Sequence, residues 1–243
     1  MKKTILLLAF ITVTLTANAQ KIYAWMDCGL KASYGLTGLV NTNLFDDRNY
    51  EHHLSTGYGL GGKVGLYFGL FNGITADFMF STNNQEFDYF RGTPATNFTH
   101  NIKWSNYDLA LLYRLQKDGI YVELGPQLSL LRSVKNADDN DTRTDVKAFY
   151  QNYYSGLFGV GGYIFNYETF TTMLGIRLGY SFTDFVSASG KEADFPTPNQ
   201  VAQYDYKSTN PAFVQLVLEA NFALGYYGRT SCSKRATIFS FGG

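Results

Sequence analysis

The most familiar chemical spacing in this sequence is Gly57-Tyr58-Gly59-Leu60-Gly61-Gly62-Lys63, which matches a dinucleotide-type G-x-G-x-x-G and most of a phosphate-loop G-x-x-x-x-G-K. Both chemistries need a loop that leaves a strand and opens a helix, so that backbone N–H groups at the helix N-terminus point at phosphate. These glycines instead lie within a strand-like alternation, and Val64 stands where Ser or Thr would hold magnesium. They read as strand glycines that permit bends and close packing beside bulky side chains.

The three histidines offer a second possibility. His52 and His53 follow Asp46, Asp47 and Glu51, and His100 lies further on, with Ser55 and Ser105 near the same segments. Adjacent histidines on an extended chain point apart, and nothing in the spacing supplies the second shell that an ordered metal site requires. A Ser, His and acid constellation is defined by geometry, which spacing does not supply. The run Asn136-Ala137-Asp138-Asp139-Asn140-Asp141-Thr142-Arg143-Thr144-Asp145 carries oxygen ligands suited to calcium, but it lacks the Gly and terminal Glu of an EF-hand loop. A charged polar loop is the expectation there, and no metal, cofactor or catalytic residue is expected.

A different set of ionisable groups is distributed with more order. In 214–224, Val214, Leu216, Leu218, Ala220, Phe222 and Leu224 fall on one face, and Gln215, Val217, Glu219, Asn221 and Ala223 on the other. Reading the remaining strands the same way places Lys31, Lys63, Asp77, Asp108, Arg114, Glu123 and Arg177, with Glu219, on the face opposite the aliphatic one. Four are basic and four acidic. At a bilayer midplane a lipid-facing Lys or Arg costs roughly 2 to 4 kcal/mol, so these groups must point inward. Inside a narrow barrel such mixed charges pair and plug the interior rather than line a channel. Arg177 and Glu219, near the middle of consecutive strands, are expected to meet.

The elements that would position these groups are eight strands at about 25–39, 55–69, 73–87, 101–115, 120–134, 153–165, 170–185 and 212–226. Links at 70–72, 116–119 and 166–169 are short, whereas 40–54, 88–100, 135–152 and 186–211 are long and polar. Short and long links alternate, which is the arrangement of an even-stranded barrel with tight periplasmic turns and long outer loops. The fold class expected is therefore all-β: an eight-stranded up-and-down antiparallel transmembrane β-barrel with a plugged, charge-paired lumen.

Residues 1–19 combine Lys2 and Lys3, an apolar run 5–15 and the small-residue ending Ala17-Asn18-Ala19, the plan of a secretory signal peptide. Residues 20–227 would form the barrel and 228–243 a periplasmic C-terminal tail. Lys+Arg and Asp+Glu each number 20 over the 243 residues, and removing the leader leaves the chain slightly acidic, which gives no electrostatic case for nucleic acid. The 19 Tyr and 20 Phe suit aromatic girdles at two membrane surfaces. Cys28 and Cys232, the only cysteines, would both reach an oxidising compartment, where a bridge at the periplasmic rim and two free thiols are both open. The basic tail, Arg229, Lys234 and Arg235, suits a periplasmic partner, lipid phosphates or no contact at all.

The strand Cys28-Gly-Leu-Lys-Ala-Ser-Tyr-Gly-Leu-Thr-Gly, the segment Leu124-Gly-Pro-Gln-Leu-Ser-Leu-Leu, the strand Ile176-Arg-Leu-Gly-Tyr-Ser-Phe-Thr-Asp-Phe and the tail Gly228-Arg-Thr-Ser-Cys-Ser-Lys-Arg together resemble the PorT-like outer-membrane β-barrel family. That resemblance implies a small OmpX- or OmpA-type barrel in a Gram-negative outer membrane, with a link to protein secretion through the family's best-known member. Two departures stand out: Tyr107-Asp-Leu-Ala-Leu-Leu-Tyr lacks an expected Pro, and the chain continues past its last strand. The function expected is non-enzymatic binding or scaffolding by a monomeric barrel, with outer-membrane lipid around it and secretion or envelope proteins as partners. A membrane-embedded lipid-modifying enzyme and a small diffusion pore are the alternatives.

Overall fold

The computed structural model describes residues 24–69, 71–91, 96–138, 142–166, 170–193, 195–196, 205–227, 229–231 and 234–237. The leader read at 1–19 lies outside them.

Alternating side chains make long strands: β1 (Ala24–Val40), β2 (Tyr50–His53), β3 (Ser55–Phe68), β4 (Asn72–Arg91), β5 (Thr96–Lys117), β6 (Ile120–Asp138), β7 (Thr144–Asp145), β8 (Tyr153–Asn166), β9 (Phe170–Ser181) and β10 (Asn210–Tyr227). Eight of them form a closed antiparallel ring in the order β1-β3-β4-β5-β6-β8-β9-β10, with β10 returning to β1 over 24–40 and β4 pairing with β5. Each strand neighbours the next in sequence, so the ring is an eight-stranded up-and-down barrel. Closure leaves the ring no free edge. Beyond it, β11 (Arg229–Ser231) and β12 (Lys234–Thr237) pair as a small hairpin.

The short connections have a local cause. Asp118 and Gly119 both take positive φ (50° and 83°) between the paired residues Lys117 and Ile120, which is a two-residue turn matched to strand twist. Tight curvature is met by glycine. A Cβ at Gly61 would come within 2.0 Å of the Phe78 carbonyl oxygen, so the G-x-G-x-x-G run is a place where neighbouring strands approach closely, inside β3 and with no helix after it.

The ring sorts its side chains by parity. Leu30, Leu60, Leu111, Leu124, Leu174 and Leu218 are exposed on the outside, whereas Lys31, Lys63, Arg114, Glu123 and Glu219 are buried inside. This inverts a soluble protein: an apolar belt surrounds a polar interior.

The long-loop end is more ordered than long polar loops suggest. β4 and β5 remain paired as far as Arg91↔Thr96, across most of the expected link 88–100. β6 runs on from Ser129, where its pairing to β8 ends, to Asp138, roughly 30 Å of further strand at about 3.3 Å per residue. These three strands project as a wing beyond β9, which ends at Ser181 rather than at 185. Phe185 leaves the strand because it is wanted elsewhere. It packs with Trp104, Tyr150 and Tyr153 in an apolar cluster that also takes Leu39, Phe87, Val146 and Val186, and this cluster caps the long-loop end.

Candidate functional site

Inside the ring, every sequence-assigned lumenal charge is buried, and seven of the eight join one network. Lys31 Nζ lies 2.5 Å from Asp77 Oδ2 and 2.9 Å from Glu219 Oε1. Arg177 reaches Asp77 at 2.9 Å and Glu123 at 2.5 Å. Arg114 spans Glu123 at 2.5 Å and Glu219 at 2.7 Å. Following these contacts gives a closed circuit of alternating sign: Glu219, Lys31, Asp77, Arg177, Glu123, Arg114 and back to Glu219. Lys63 extends it, 3.2 Å from Glu219 and 3.4 Å from Asp27.

Two links in the circuit cross the whole lumen. Asp77 on β4 and Arg177 on β9 stand four strands apart in the eight-membered ring, as do Arg114 on β5 and Glu219 on β10. These contacts tie opposite walls together. Thioethers pack against both guanidinium groups, with Met173 Sδ 3.8 Å from Arg114 and Met79 Sδ 4.0 Å from Arg177, and the Tyr121 ring lies 4.1 Å from the Arg114 guanidinium carbon. Alone among the eight strands, β8 contributes no charge to this network. It contributes space, since a Cβ at Gly159 would meet Glu123 Cγ at 2.8 Å.

Three details differ from the sequence expectation. Arg177 and Glu219 are not partners: the register sets Arg177 opposite Gln215 and Glu219 opposite Met173, and each charge turns to other strands. Asp108 stands outside the ion pairs, accepting instead from Ser81 Oγ at 2.5 Å and Ser129 Oγ at 2.6 Å, because its level lies nearer the cap and no cation reaches it. Asp27, a charge the sequence reading leaves out of the lumen, pairs with Lys63 and accepts from the Tyr67 hydroxyl at 3.2 Å. It shares the odd parity of Lys31, which is the signal that would have found it.

The other candidate groups are spent on structure. The His52 ring stacks on Phe45 and its Nε2 meets the Leu44 carbonyl oxygen at 3.2 Å, while His53 Nε2 lies 3.2 Å from Asp88. His100 is bonded to Asp138. Ser55 Oγ accepts from the Glu86 N–H at 2.8 Å, and the Ser105 hydroxyl meets that of Thr82 at 3.1 Å. Among the described residues no group of three metal-ligating side chains comes together, and the run 136–145 falls partly outside them. Cys28 is half-buried on β1; the bridge to Cys232 concerns a residue outside those described.

At the cap, outside the belt, burial pushes the Tyr150 phenol well above the usual tyrosine range. Burial, and then the hydrogen bond it donates to Asp184 at 2.7 Å, does the same to Tyr206.

No protein-family model matches the sequence, and no curated protein is detectably related to it. Solved structures share its outline at low identity. The attachment invasion locus protein Ail of Yersinia pestis, in complex with the heparin analogue sucrose octasulfate, matches at 12% identity over 82% of this chain and 99% of its own, with a TM-score of 0.39. Neisserial surface protein A matches at 11% identity over 81% and 97%, with a TM-score of 0.35. The outer membrane protease OmpT of Escherichia coli matches at 10% identity over 84% and 97%, with a TM-score of 0.37.

Proposed function

We propose that this chain is a Gram-negative outer-membrane barrel that works by binding rather than by transport or catalysis, with the projecting β4–β5–β6 wing and the cap as its contact surface. Its insertion in a membrane is supported by the continuous apolar belt around a charged interior, an arrangement unstable in water and favourable in lipid. The observation that carries the functional reading is the lumen itself. A closed circuit of ion pairs joined wall to wall, beneath an aromatic cap, supports a filled axis rather than an open channel. What such a barrel can offer a partner is its outer end. There Phe90 and Phe98 are exposed at the far end of the wing, and aromatic groups of this kind anchor protein interfaces. The motifs resembling PorT-like barrels support an envelope or secretion protein as that partner.

The test is recovery of the protein and its cross-linked neighbours from gently solubilised outer membranes, comparing the native chain with a Phe90→Ser, Phe98→Ser double variant. Recurrent envelope proteins that are lost with the double variant are the expected result. A chain recovered alone, or neighbours indifferent to both substitutions, would refute the wing as a binding surface.

A further inference from the structure

The ladder that closes the barrel is interrupted at one corner. β1 pairs with β3 only as far as Thr37↔Ser55, although β1 continues to Val40 along β10. β3 pairs with β4 from Phe68↔Asn72 only to Tyr58↔Thr82, and β4 next pairs at Glu86↔His53 on β2. Side chains close the gap. Thr37 Oγ1 donates to the Asn84 carbonyl at 2.9 Å and accepts from its N–H at 3.3 Å, Ser55 Oγ accepts from the Glu86 N–H at 2.8 Å, and Gln85 Oε1 accepts from the Leu39 N–H at 3.1 Å.

A cleft of about 400 Å³ lies against this corner, in the size range of small-molecule sites. Its floor is a cross-strand row of the outer belt, Leu36, Val214 and Leu178, paired in register and each exposed by 43–47%. Phe45 and Leu54 form a wall, and Phe213 reaches it from the lumenal side. The polar side chains on its lining are already engaged: Thr37, Ser55 and Gln85 in the stitches, Gln85 Nε2 with the Glu86 carbonyl, His52 with Leu44 and His53 with Asp88. A polar or charged ligand would lose hydration against a mostly apolar lining whose side-chain oxygens and amide are already bonded. A hydrocarbon would fit, and the cleft is continuous with the belt. The geometry points to a binding site for one acyl chain of a lipid of the surrounding bilayer, a conclusion that rests on the membrane reading above.

The test uses the mature full-length chain refolded into phosphatidylcholine vesicles containing a trace of phosphatidylcholine with a photoactivatable diazirine at mid-chain. After irradiation, labelled peptides are mapped by mass spectrometry. Residues of the cleft floor should carry about tenfold more label than Leu111 on β5, which is more exposed than they are, the occupancy ratio given by burying roughly two methylenes. Ala212→Trp and, separately, Leu36→Trp fill the cleft from different sides; each should abolish the excess while leaving Leu111 labelled, with the heat-dependent gel shift reporting that each variant folds. Uniform labelling of the native belt, or an excess that survives both fillings, would overturn the lipid site. No label anywhere on the belt would overturn the membrane reading beneath it.

Discussion

Arg114 is the place to test whether the lumenal circuit is wired as described. It is fully buried and makes four charged contacts, from Nε and Nη2 to Glu123 at 3.1 and 2.5 Å and from Nη1 and Nη2 to Glu219 at 2.9 and 2.7 Å. Arg114→Met would leave Glu123 with Arg177 alone and Glu219 with two lysines, and would strand one negative charge in the lumen. Removing one partner of a buried pair costs about 3 to 5 kcal/mol, largely because the other is left uncompensated. Glu219→Gln should cost a similar amount by stranding positive charge among Lys31, Lys63 and Arg114. Because Arg114 and Glu219 are in direct contact, the double variant leaves neither stranded by loss of the other, so its loss should fall short of the sum by roughly 1 to 3 kcal/mol. The assay is urea unfolding in detergent micelles, followed by fluorescence of Trp25 and Trp104. A parallel cycle with Arg177→Met and Glu219→Gln, two groups that do not touch, should give the smaller coupling. Equal or larger coupling in that second cycle would refute the circuit.

Four further outcomes are expected. The mature protein should migrate faster on a gel unheated than after boiling, since a closed ladder resists detergent until heated; absence of the shift would contradict closure. Planar bilayers containing the native chain should show no steady conductance, and an open, lasting step would contradict the filled lumen. Leu218→Arg, on the belt, should harm membrane assembly by roughly 2 to 4 kcal/mol, while Thr144→Arg, exposed on β7 at the long-loop end, should be tolerated; equal yields of heat-modifiable protein would contradict the placing of the belt. Finally, burial holds the Tyr150 proton past about pH 10, where an unfolded tyrosine ionises. Its contribution is thus full below that pH and declines above it. Because its hydroxyl has no hydrogen-bond partner among the described residues, Tyr150→Phe should leave neutral stability intact and lessen the alkaline decline, read from urea midpoints on both sides of pH ~10.

The period of two along a strand is why so much of the barrel could be read from residue order. Parity alone separates Leu218 from Glu219, and the alternation of short and long links orders the strands. Which charges touch is a different matter. Arg114 and Glu219 are far apart in sequence and face each other only because of barrel size, strand tilt and side-chain length. Nearest-strand reasoning therefore offers Arg177 with Glu219, where the lumen is narrow enough for opposite walls to compete. Asp108 shows the same limit in height, since an inward carboxylate at the wrong level finds hydroxyls instead of cations. The long links were legible as links but not as structure: the burial of Phe185 and Tyr150 follows from the shape of the barrel end they cover.

The ionic circuit draws on both ends of the barrel sequence, with Lys31 on the first strand and Glu219 on the last. A chain stopped before β10 would lack Glu219, the one carboxylate that meets Lys31, Lys63 and Arg114 together, and the circuit would be broken between its first strand and its middle. The last strand therefore completes two things at once: the hydrogen-bond ladder that joins it to β1 and the charge balance of the groups that ladder encloses.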